Sequence, residues 1–497
     1  MVAAVAGRVY FTAPKPNPTP AALTVAVHPF SAPSGDPVST HLAERANDAT
    51  ARMLTESGIS VIDTSGSSNP PTGTDFVLTG SVERMATGQV ATIRVEDPVY
   101  HSIVMTRQIE ATAADPEALP DQIGAQISAA LSNAAPLVRL DRAYRSDPAL
   151  LANLLNSNSS TFESQRNFEI ARRTAPNAPN SAIAQLSLAM TTGLNMEVTP
   201  PAQRAATLAA GREAAARLLR LAPQFGDSYL PWCFLHAEVR LAECEDTLEK
   251  GLAIDPRAQW VGNILGKLLI NVGRIDEAVA IEKITLAKNP YGDTQTALLL
   301  LALDATGDSQ DAESLFRRGR RLRPQSVGLL LNRVGGMLGR GDFDTLSRFE
   351  KQIAASGLAP NYKSIAGPLA RAIREGSLPL AHASCRTAPR DDDLQMTECM
   401  LALARLGDLD KSFDFAGRLY PPRTARTTAD EEAVWLANPD NFDTLYLTGA
   451  GAAPMRQDAR FLELANRVGL VRYWRSNRLP DFCVRYHEPV CRQFSER

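Results

Sequence analysis

The sequence lacks a catalytic signature, and charge of neither sign is in clear excess. Its 497 residues include 52 Lys and Arg and 55 Asp and Glu, which gives a formal net charge of −3 at pH 7. Nucleic acids and anionic membranes are normally bound by basic surfaces, so the overall charge indicates neither partner. No predicted strand leads into a glycine-rich phosphate loop. We therefore expect a non-enzymatic chain with no cofactor, no metal and no direct binding of nucleic acid.

Three short polar motifs resemble parts of known sites but lack the residues that would complete them. His236-Ala237-Glu238 lacks the Pro-Cys-x-x-Cys segment that completes the zinc site of deaminases. Asp391-Asp392-Asp393 lacks the spaced oxygen ligands of a calcium loop and is more typical of an acidic helix start. The arginines of RRGRRLR, residues 317–323, could bind phosphate or a partner, but a solvated helix face explains them as well.

The sequence has no Cys-x-x-Cys pair, which argues against a structural zinc site. Its six cysteines instead form three local pairs, separated by 11, 14 and 8 residues. This pattern is typical of short-range disulfides in an oxidising compartment, and it favours a periplasmic location. Free thiols in a cytoplasmic protein are the alternative. The candidate pairs are Cys233 with Cys244, Cys385 with Cys399, and Cys483 with Cys491.

Residues 1–22 combine a short apolar run with a proline-rich stretch. The run MVAAVAGRVYF is too short to span a bilayer, which requires about 20 apolar residues. It also lacks the basic start and the cleavage site of a secretory signal. The prolines that follow predict a stiff, extended linker. We interpret residues 1–22 as the residual end of a membrane helix and its linker, which predicts a membrane tether at the N-terminus; a disordered start of a soluble protein is the alternative.

Residues 23–135 alternate between strand and helix patterns. LTVAVHPF (23–30) predicts a buried strand, and an amphipathic helix over 39–57 and a second strand at GISVID follow it. Three extended stretches over 75–111 and a closing helix over 119–132 complete the unit. This order predicts a small mixed sheet with helices on one face.

From residue 140 to residue 420 the sequence is rich in Ala and Leu and repeats with a period near 34. The period, with glycine at the turn and proline after the second helix, is typical of tetratricopeptide repeats. Neighbouring helix pairs must stack to bury their apolar faces, so we predict a solenoid whose concave surface binds a partner. The predicted fold class is α+β: a small mixed α/β N-terminal domain, then an all-α tetratricopeptide-like solenoid with a C-terminal cap. The repeated positions are Pro223, Pro256, Pro290 and Pro324, and Gly273, Gly307, Gly341, Gly376 and Gly407.

Residues 421–497 form an irregular C-terminal cap in this interpretation. The last repeat of a solenoid has no neighbour to cover its apolar end. We predict that Tyr473, Trp474 and Phe482 fold over that end, because aromatic side chains bury large apolar areas, and that Pro480 stops regular structure. A binding site built from the same aromatic residues and their neighbouring arginines is the alternative.

Several of these segments resemble a known combination of domains. LTVAVHPFSAPSGDP, ISVID and DFVLTGSVER resemble the TolB amino-terminal-like domain, which in many bacterial proteins precedes tetratricopeptide repeats. The closing GLVRYWRSNRLPDFC is similar to the aromatic tail of such proteins and is the most specific of these matches. Together the matching segments cover nearly the whole chain.

The resemblance implies the extracytoplasmic half of a membrane protein. In that family the cytoplasmic half is a winged-helix DNA-binding domain of the CadC/ToxR type or a class III adenylate cyclase domain, and this sequence contains neither. We therefore expect a non-enzymatic sensor or scaffold module of a transmembrane transcriptional regulator, which binds a protein or peptide partner. The regulatory part of a class III adenylate cyclase and a free-standing tetratricopeptide adaptor are the alternatives.

Overall fold

The computed structural model describes residues 23–64, 71–86, 88–111, 115–140, 151, 155, 161–195, 199–235, 241–357, 362–386, 388, 392–420, 444–476 and 478–495. The predicted membrane-helix end and linker in residues 1–22 therefore lie outside the described residues, as do His236, Glu238 and Asp391. Within these ranges, no helix is both long and apolar enough to cross a membrane.

The N-terminal region is a five-stranded mixed sheet. Its strands are β1 (Thr24–Val27), β2 (Ser60–Asp63), β3 (Phe76–Met85), β4 (Gly88–Asp97) and β5 (Ser102–Glu110), in the order β2-β1-β3-β4-β5. Strand β1 is parallel to both β2 and β3, whereas β3, β4 and β5 form an antiparallel meander. Most apolar side chains of the central strands β1, β3 and β4 are buried, among them Val25, Phe76 and Ile93. The structure confirms the predicted mixed sheet.

Two helices cover this sheet: α1 (Pro37–Glu56) and α2 (Leu119–Leu140). They pack against each other as well as on the strands, and a β-carbon at Gly124 of α2 would come within 2.9 Å of the carbonyl oxygen of Ala49 in α1. Leu42 and Ile123, one from each helix, are fully buried in the common core.

Between residues 161 and 420, the described residues form helices that stack in sequence order. These are five leading helices and then five helix pairs, and a glycine predicted from the repeat lies in the turn inside each pair. The structure confirms a helical solenoid after the α/β domain. The leading helices are α3 (Thr161–Thr174), α4 (Ala182–Asn195), α5 (Pro201–Leu221), α6 (Leu230–Leu235) and α7 (Leu241–Ile254). The pairs are α8 (Gln259–Asn271) with α9 (Ile275–Lys288), α10 (Asp293–Thr306) with α11 (Ser309–Leu322), α12 (Val327–Arg340) with α13 (Phe343–Ser356), α14 (Ala366–Glu375) with α15 (Leu378–Cys385), and α16 (Asp393–Arg405) with α17 (Leu409–Leu419).

The turns inside four of the five pairs are built in the same way. Gly307 and Gly341 adopt the left-handed conformation, with φ of 88° and 75°, which glycine reaches without a steric penalty. The next residue accepts a hydrogen bond at the start of the second helix: Asp308 from the backbone N–H of Asp311, and Asp342 from that of Thr345. The short local sequence Gly-Asp therefore ends one helix and starts the next.

The α/β domain packs against the opposite ends of the repeat helices, near the prolines that separate the pairs. Asn289 donates to Asn133 at 3.1 Å, and Gln122 donates to the carbonyl oxygen of Arg321 at 3.1 Å. The Tyr291 hydroxyl donates to the carboxylate of Glu56. These polar contacts fix the orientation of helix α2 across the second helices of the repeats.

The last described segment, residues 444–495, consists of short helices that run back along the solenoid. These are α18 (Leu445–Thr448), α19 (Ala453–Arg456), α20 (Arg460–Arg467), α21 (Leu470–Trp474), α22 (Asp481–Val484) and α23 (Arg492–Ser495), with 3-10 turns at Ala450–Ala452 and Pro489–Cys491. Helix α20 lies beside α17 of the last pair, whereas α21 lies beside α7, more than 200 residues earlier in the chain. We call residues 444–495 the return segment.

Candidate interaction surfaces

The first helices of the pairs share one surface of the solenoid, and the return segment covers part of it. A β-carbon at Gly339 of α12 would come within 2.9 Å of the Leu445 side chain, and one at Gly335 within 3.5 Å of the Tyr446 hydroxyl. Helix α18 also contacts α8, two pairs away. We call this surface of α8, α10 and α12 the inner face. It already holds a polypeptide segment, and that segment belongs to the same chain.

Glycines of α12, of the turn that follows it and of the return segment allow backbone to approach backbone. A β-carbon at Gly341 would lie 2.9 Å from the Cα of Gly451, and one at Gly449 would lie even closer to the carbonyl oxygen of Gly339. Any side chain at these positions would push the return segment away. The inner face therefore accepts main chain at Gly339 and also the side chains of Leu445 and Tyr446, because its glycines leave room for both.

Tyr473 and Trp474 lie against the first glycine turn of the pairs. The Trp474 indole is fully buried and donates to the carbonyl oxygen of Val272 at 3.0 Å. The Tyr473 hydroxyl donates to Glu245 at 2.8 Å and accepts from Arg274 at 2.7 Å. Both residues lie beside α7 and α8, and not over the end of the last repeat where the sequence predicts them. Polar partners for both rings exist at this turn, which explains the position.

Pro480 and Phe482 complete the same contact. A β-carbon at Gly273 would come within 3.0 Å of Pro480, and the backbone N–H of Asp481 donates to the carbonyl oxygen of Gly273 at 2.8 Å. Phe482 packs edge-on against Trp474, with ring centroids 5.5 Å apart. All four predicted cap residues are buried, but they join the return segment to the first pair rather than closing the last one.

The Gly273 turn, which contacts the return segment, differs from the other turns in the residue that follows the glycine. Arg274 follows Gly273 at the position where Asp308 and Asp342 cap their helices, and its side chain makes no capping hydrogen bond. The carboxylate of Asp481 accepts from the backbone N–H of Asp276 at 3.1 Å. The return segment thus supplies the missing cap of helix α9.

A buried ionic network surrounds Arg274. Glu245, with 1% of its side chain exposed, forms ion pairs with Arg274 and with Arg478, whose Nε lies 2.9 Å from the carboxylate. Burial alone would lower the pKa of Arg274, but the hydrogen bond to Glu277 and the nearby negative charges hold that pKa above its usual value. Burial, reinforced by the charge of Glu245, raises the pKa of Tyr473 above its usual value. The guanidinium therefore stays charged and the phenol stays protonated.

Three cysteine pairs lie at disulfide distance. The Sγ atoms are 2.11 Å apart for Cys233 and Cys244, 2.16 Å for Cys385 and Cys399, and 1.98 Å for Cys483 and Cys491. Cys233 and Cys244 join α6 to α7, and Cys385 and Cys399 join α15 to α16. Cys483 and Cys491 close a loop of the return segment. These are the pairs of sequence neighbours expected from the spacing, and they fit an oxidising, extracytoplasmic environment.

Two carboxyl groups share one serine between the third and fifth pairs. The Ser364 hydroxyl contacts both Glu350 and Glu398, and the backbone N–H of Ile365 donates to Glu398 at 2.8 Å. Burial raises the pKa of Glu350 to about 7 and that of Glu398 to about 8. The sequence gives no signal for this cluster, because its members come from three separate parts of the chain.

The remaining sequence motifs do not converge on a reaction centre in the described residues. Arg317 and Arg321 leave 74% and 61% of their side chains exposed on helix α11, as expected for a solvated face. Within the described part of the chain, no group of three or more His, Cys, Asp or Glu is placed to hold a metal ion. Known protein families and curated proteins were compared with this sequence, and no family profile and no curated protein matches it.

Proposed function

We propose that this chain is a non-enzymatic sensor or scaffold module that binds a protein or peptide partner through the inner face of its solenoid. The observation that carries the proposal is the contact between that face and residues 445–451 of the same chain. A surface that accommodates one polypeptide segment against Gly335 and Gly339 has the shape required for another.

The cysteine pairs and the resemblance of the N-terminal and C-terminal motifs support a periplasmic module of a transmembrane transcriptional regulator. In this role the internal segment competes with the partner, so a partner must bind more tightly than residues 445–451 do to displace them. Displacement would then change the contact between the return segment and the repeats, which is the signal that such a module could transmit.

The experiment is a selection of peptides from a displayed random library on the full chain, followed by calorimetric titration of a selected peptide. Leu445→Ser removes an apolar contact of the internal segment and should tighten peptide binding by about tenfold, because the competing segment is weakened. Gly335→Trp should abolish binding, because the indole would fill the space between Leu301 and Tyr446.

Ile284→Ser is the matched control, since Ile284 is 55% exposed on the second helix α9 and does not belong to the inner face. Circular dichroism and the thermal midpoint check that each variant is folded. If the selected peptides bind the wild type, Leu445→Ser and Gly335→Trp with equal affinity, the binding surface lies elsewhere.

A further inference from the structure

The loop closed by Cys483 and Cys491 presents two apolar side chains to solvent. Val484 is 59% exposed and Tyr486 is 69% exposed, whereas Phe482 and Val490 on either side of them are buried. The Cα atoms of the two cysteines are 5.5 Å apart, so the loop projects from a narrow base. Exposed apolar side chains within a cross-linked loop are not needed for packing.

The base of this loop is fixed from several directions. His487 Nδ1 lies 3.1 Å from the carbonyl oxygen of Cys483, and Glu488 forms two hydrogen bonds with Arg456, at 2.7 and 2.9 Å. Arg485 pairs with Asp276 of helix α9. A loop that is ordered before binding loses little conformational entropy when a partner docks, so its exposed side chains can contribute fully to affinity.

Two exposed arginines lie next to the base of this loop. Arg492 follows Cys491 directly, as Val484 follows Cys483, and Arg475 donates to the carbonyl oxygen of Gln493 at 3.5 Å. Neither Arg475 nor Arg492 forms an ion pair with another described residue. We call Arg475, Val484, Tyr486 and Arg492 the loop patch.

The carboxylates near the loop patch are engaged inside the protein. Glu488 is paired with Arg456, and Asp481 caps helix α9. Among the described residues, no carboxylate neutralises the positive charge of the loop patch. Tyrosine and arginine are among the residues most enriched at protein interfaces and their hot spots.

We propose that the loop patch is a docking surface for an acidic segment of a partner protein, with Tyr486 as the apolar anchor and Arg475 and Arg492 as the contacts to carboxylates. A protein segment fits better than an anionic bilayer. A bilayer is a broad negative surface, and it would also meet Asp246, which is 61% exposed and pairs with Arg478 of the return segment. The negative charge of Asp246 would oppose that contact. This docking surface is separate from the inner face and does not depend on peptide binding there.

The test uses the full oxidised chain and fluorescence anisotropy of a fluorescein-labelled peptide, EELEELEELEEL. Arg475→Glu combined with Arg492→Glu should weaken binding by about tenfold or more, and Tyr486→Ser by about fivefold. The matched control, Arg317→Glu combined with Arg321→Glu, reverses two exposed charges on helix α11 and should change the affinity by less than about twofold. If the charge-reversed loop variant does not fold, Arg475→Gln with Arg492→Gln replaces it, with a weaker loss expected.

Equal affinities for the wild type and the loop variants would overturn the proposal, as would equal binding of the peptide KKLKKLKKLKKL. Sedimentation with phosphatidylglycerol vesicles, in the absence of any binding to the acidic peptide, would identify a membrane surface instead and would also overturn it. If library peptides fail to bind the inner face while the acidic peptide binds the loop patch, the proposed function of the inner face is wrong and the proposed docking surface is supported.

Discussion

Arg456 and Glu488 form a two-point ion pair inside the return segment. The Nε and Nη2 nitrogens of Arg456 lie 2.7 and 2.9 Å from the two carboxylate oxygens of Glu488, and only 2% of the arginine side chain is exposed. The third nitrogen donates to three carbonyl oxygens at the end of helix α18, which are those of Leu447, Thr448 and Gly449. One guanidinium therefore joins helix α18, which covers the inner face, to the loop closed by Cys483 and Cys491.

Arg456→Met should lower the free energy of unfolding by about 2–4 kcal/mol, because it leaves the partly buried Glu488 without its partner and removes three hydrogen bonds to carbonyl oxygens. Urea denaturation followed by circular dichroism measures the change. Arg460→Met is the matched control four residues later, where the arginine is 44% exposed and pairs with Asp458 and Asp410 on the surface, and it should have little effect. Equal losses in the two variants would contradict the structural role of Arg456.

Asp481 caps helix α9 by accepting a hydrogen bond from the backbone N–H of Asp276, although the two residues are 205 positions apart in the sequence. We expect Asp481→Ala to cost about 1–2 kcal/mol of stability and to increase proteolysis within residues 475–495. Asp481→Asn should retain most of the stability, because an amide oxygen can accept the same hydrogen bond. Limited trypsin digestion and urea denaturation would measure both effects.

The matched comparison for Asp481 is Asp308→Ala, which removes the equivalent cap within its own repeat. It should destabilise the fold by a similar amount without exposing the tail to protease. If both alanine variants leave the tail equally protected, Asp481 caps the helix without contributing to the attachment of the tail.

The repeat pattern predicted the helices and turns because the requirement for glycine at a left-handed turn is local. The position of the return segment was not predictable in the same way, since Trp474 and Val272 are distant in sequence and no periodicity relates them. One signal was present: Arg274 follows Gly273 where the other turns have Asp or Ser. Arginine cannot accept the capping hydrogen bond, so this exception indicates a cap, and hence a contact, supplied from elsewhere.

All six cysteines should be unreactive in the unreduced protein, even after it is unfolded in guanidinium. A thiol reagent should detect six thiols only after reduction, as follows from the three pairs at disulfide distance. Replacing Cys385 and Cys399 by Ala should lower the free energy of unfolding by about 2–4 kcal/mol, because the bond between α15 and α16 restricts the unfolded chain. Full reactivity without reductant would contradict both the pairing and the oxidising location.

Stability should fall as the pH rises from 5 to 8. Glu350 and Glu398 have pKa values of about 7 and about 8 in the folded protein, above their usual value. Between the unfolded and folded pKa values the folded state binds more protons than the unfolded state, so a rise in pH favours unfolding. Urea midpoints at pH 5, 6, 7 and 8 measure the slope.

Glu398→Gln should reduce this slope, because the amide stays neutral and can still accept the hydrogen bond from Ile365. Glu375→Gln is the control, as Glu375 is 49% exposed and pairs with Arg371 on the surface. Asp458, whose hydrogen bonds to Arg460 lower its pKa to about 2, titrates below this window and does not alter the slope. A pH profile that is identical in the wild type and Glu398→Gln would exclude Glu398 as its source.

Glu282 occupies a position where the next repeat has an aromatic residue. It follows Gly273 by nine residues, as Phe316 follows Gly307, and its side chain is fully buried against Gly266. Neither carboxylate oxygen has a hydrogen-bond partner among the described residues, and burial raises the pKa of Glu282 well above its usual value. The carboxyl group therefore costs stability at any pH at which the unfolded chain would ionise it.

Glu282→Met should consequently increase the free energy of unfolding by about 1–3 kcal/mol at pH 8, where folding must neutralise the carboxylate, and by less at pH 5. Glu213→Met, at a site 64% exposed on helix α5, controls for the loss of one negative charge and should be nearly neutral. Urea denaturation at both pH values gives the comparison. If Glu282→Met is destabilising at both, the carboxyl group must bind a partner in the folded protein, and Glu282 then becomes a residue to examine in the complex with a selected peptide.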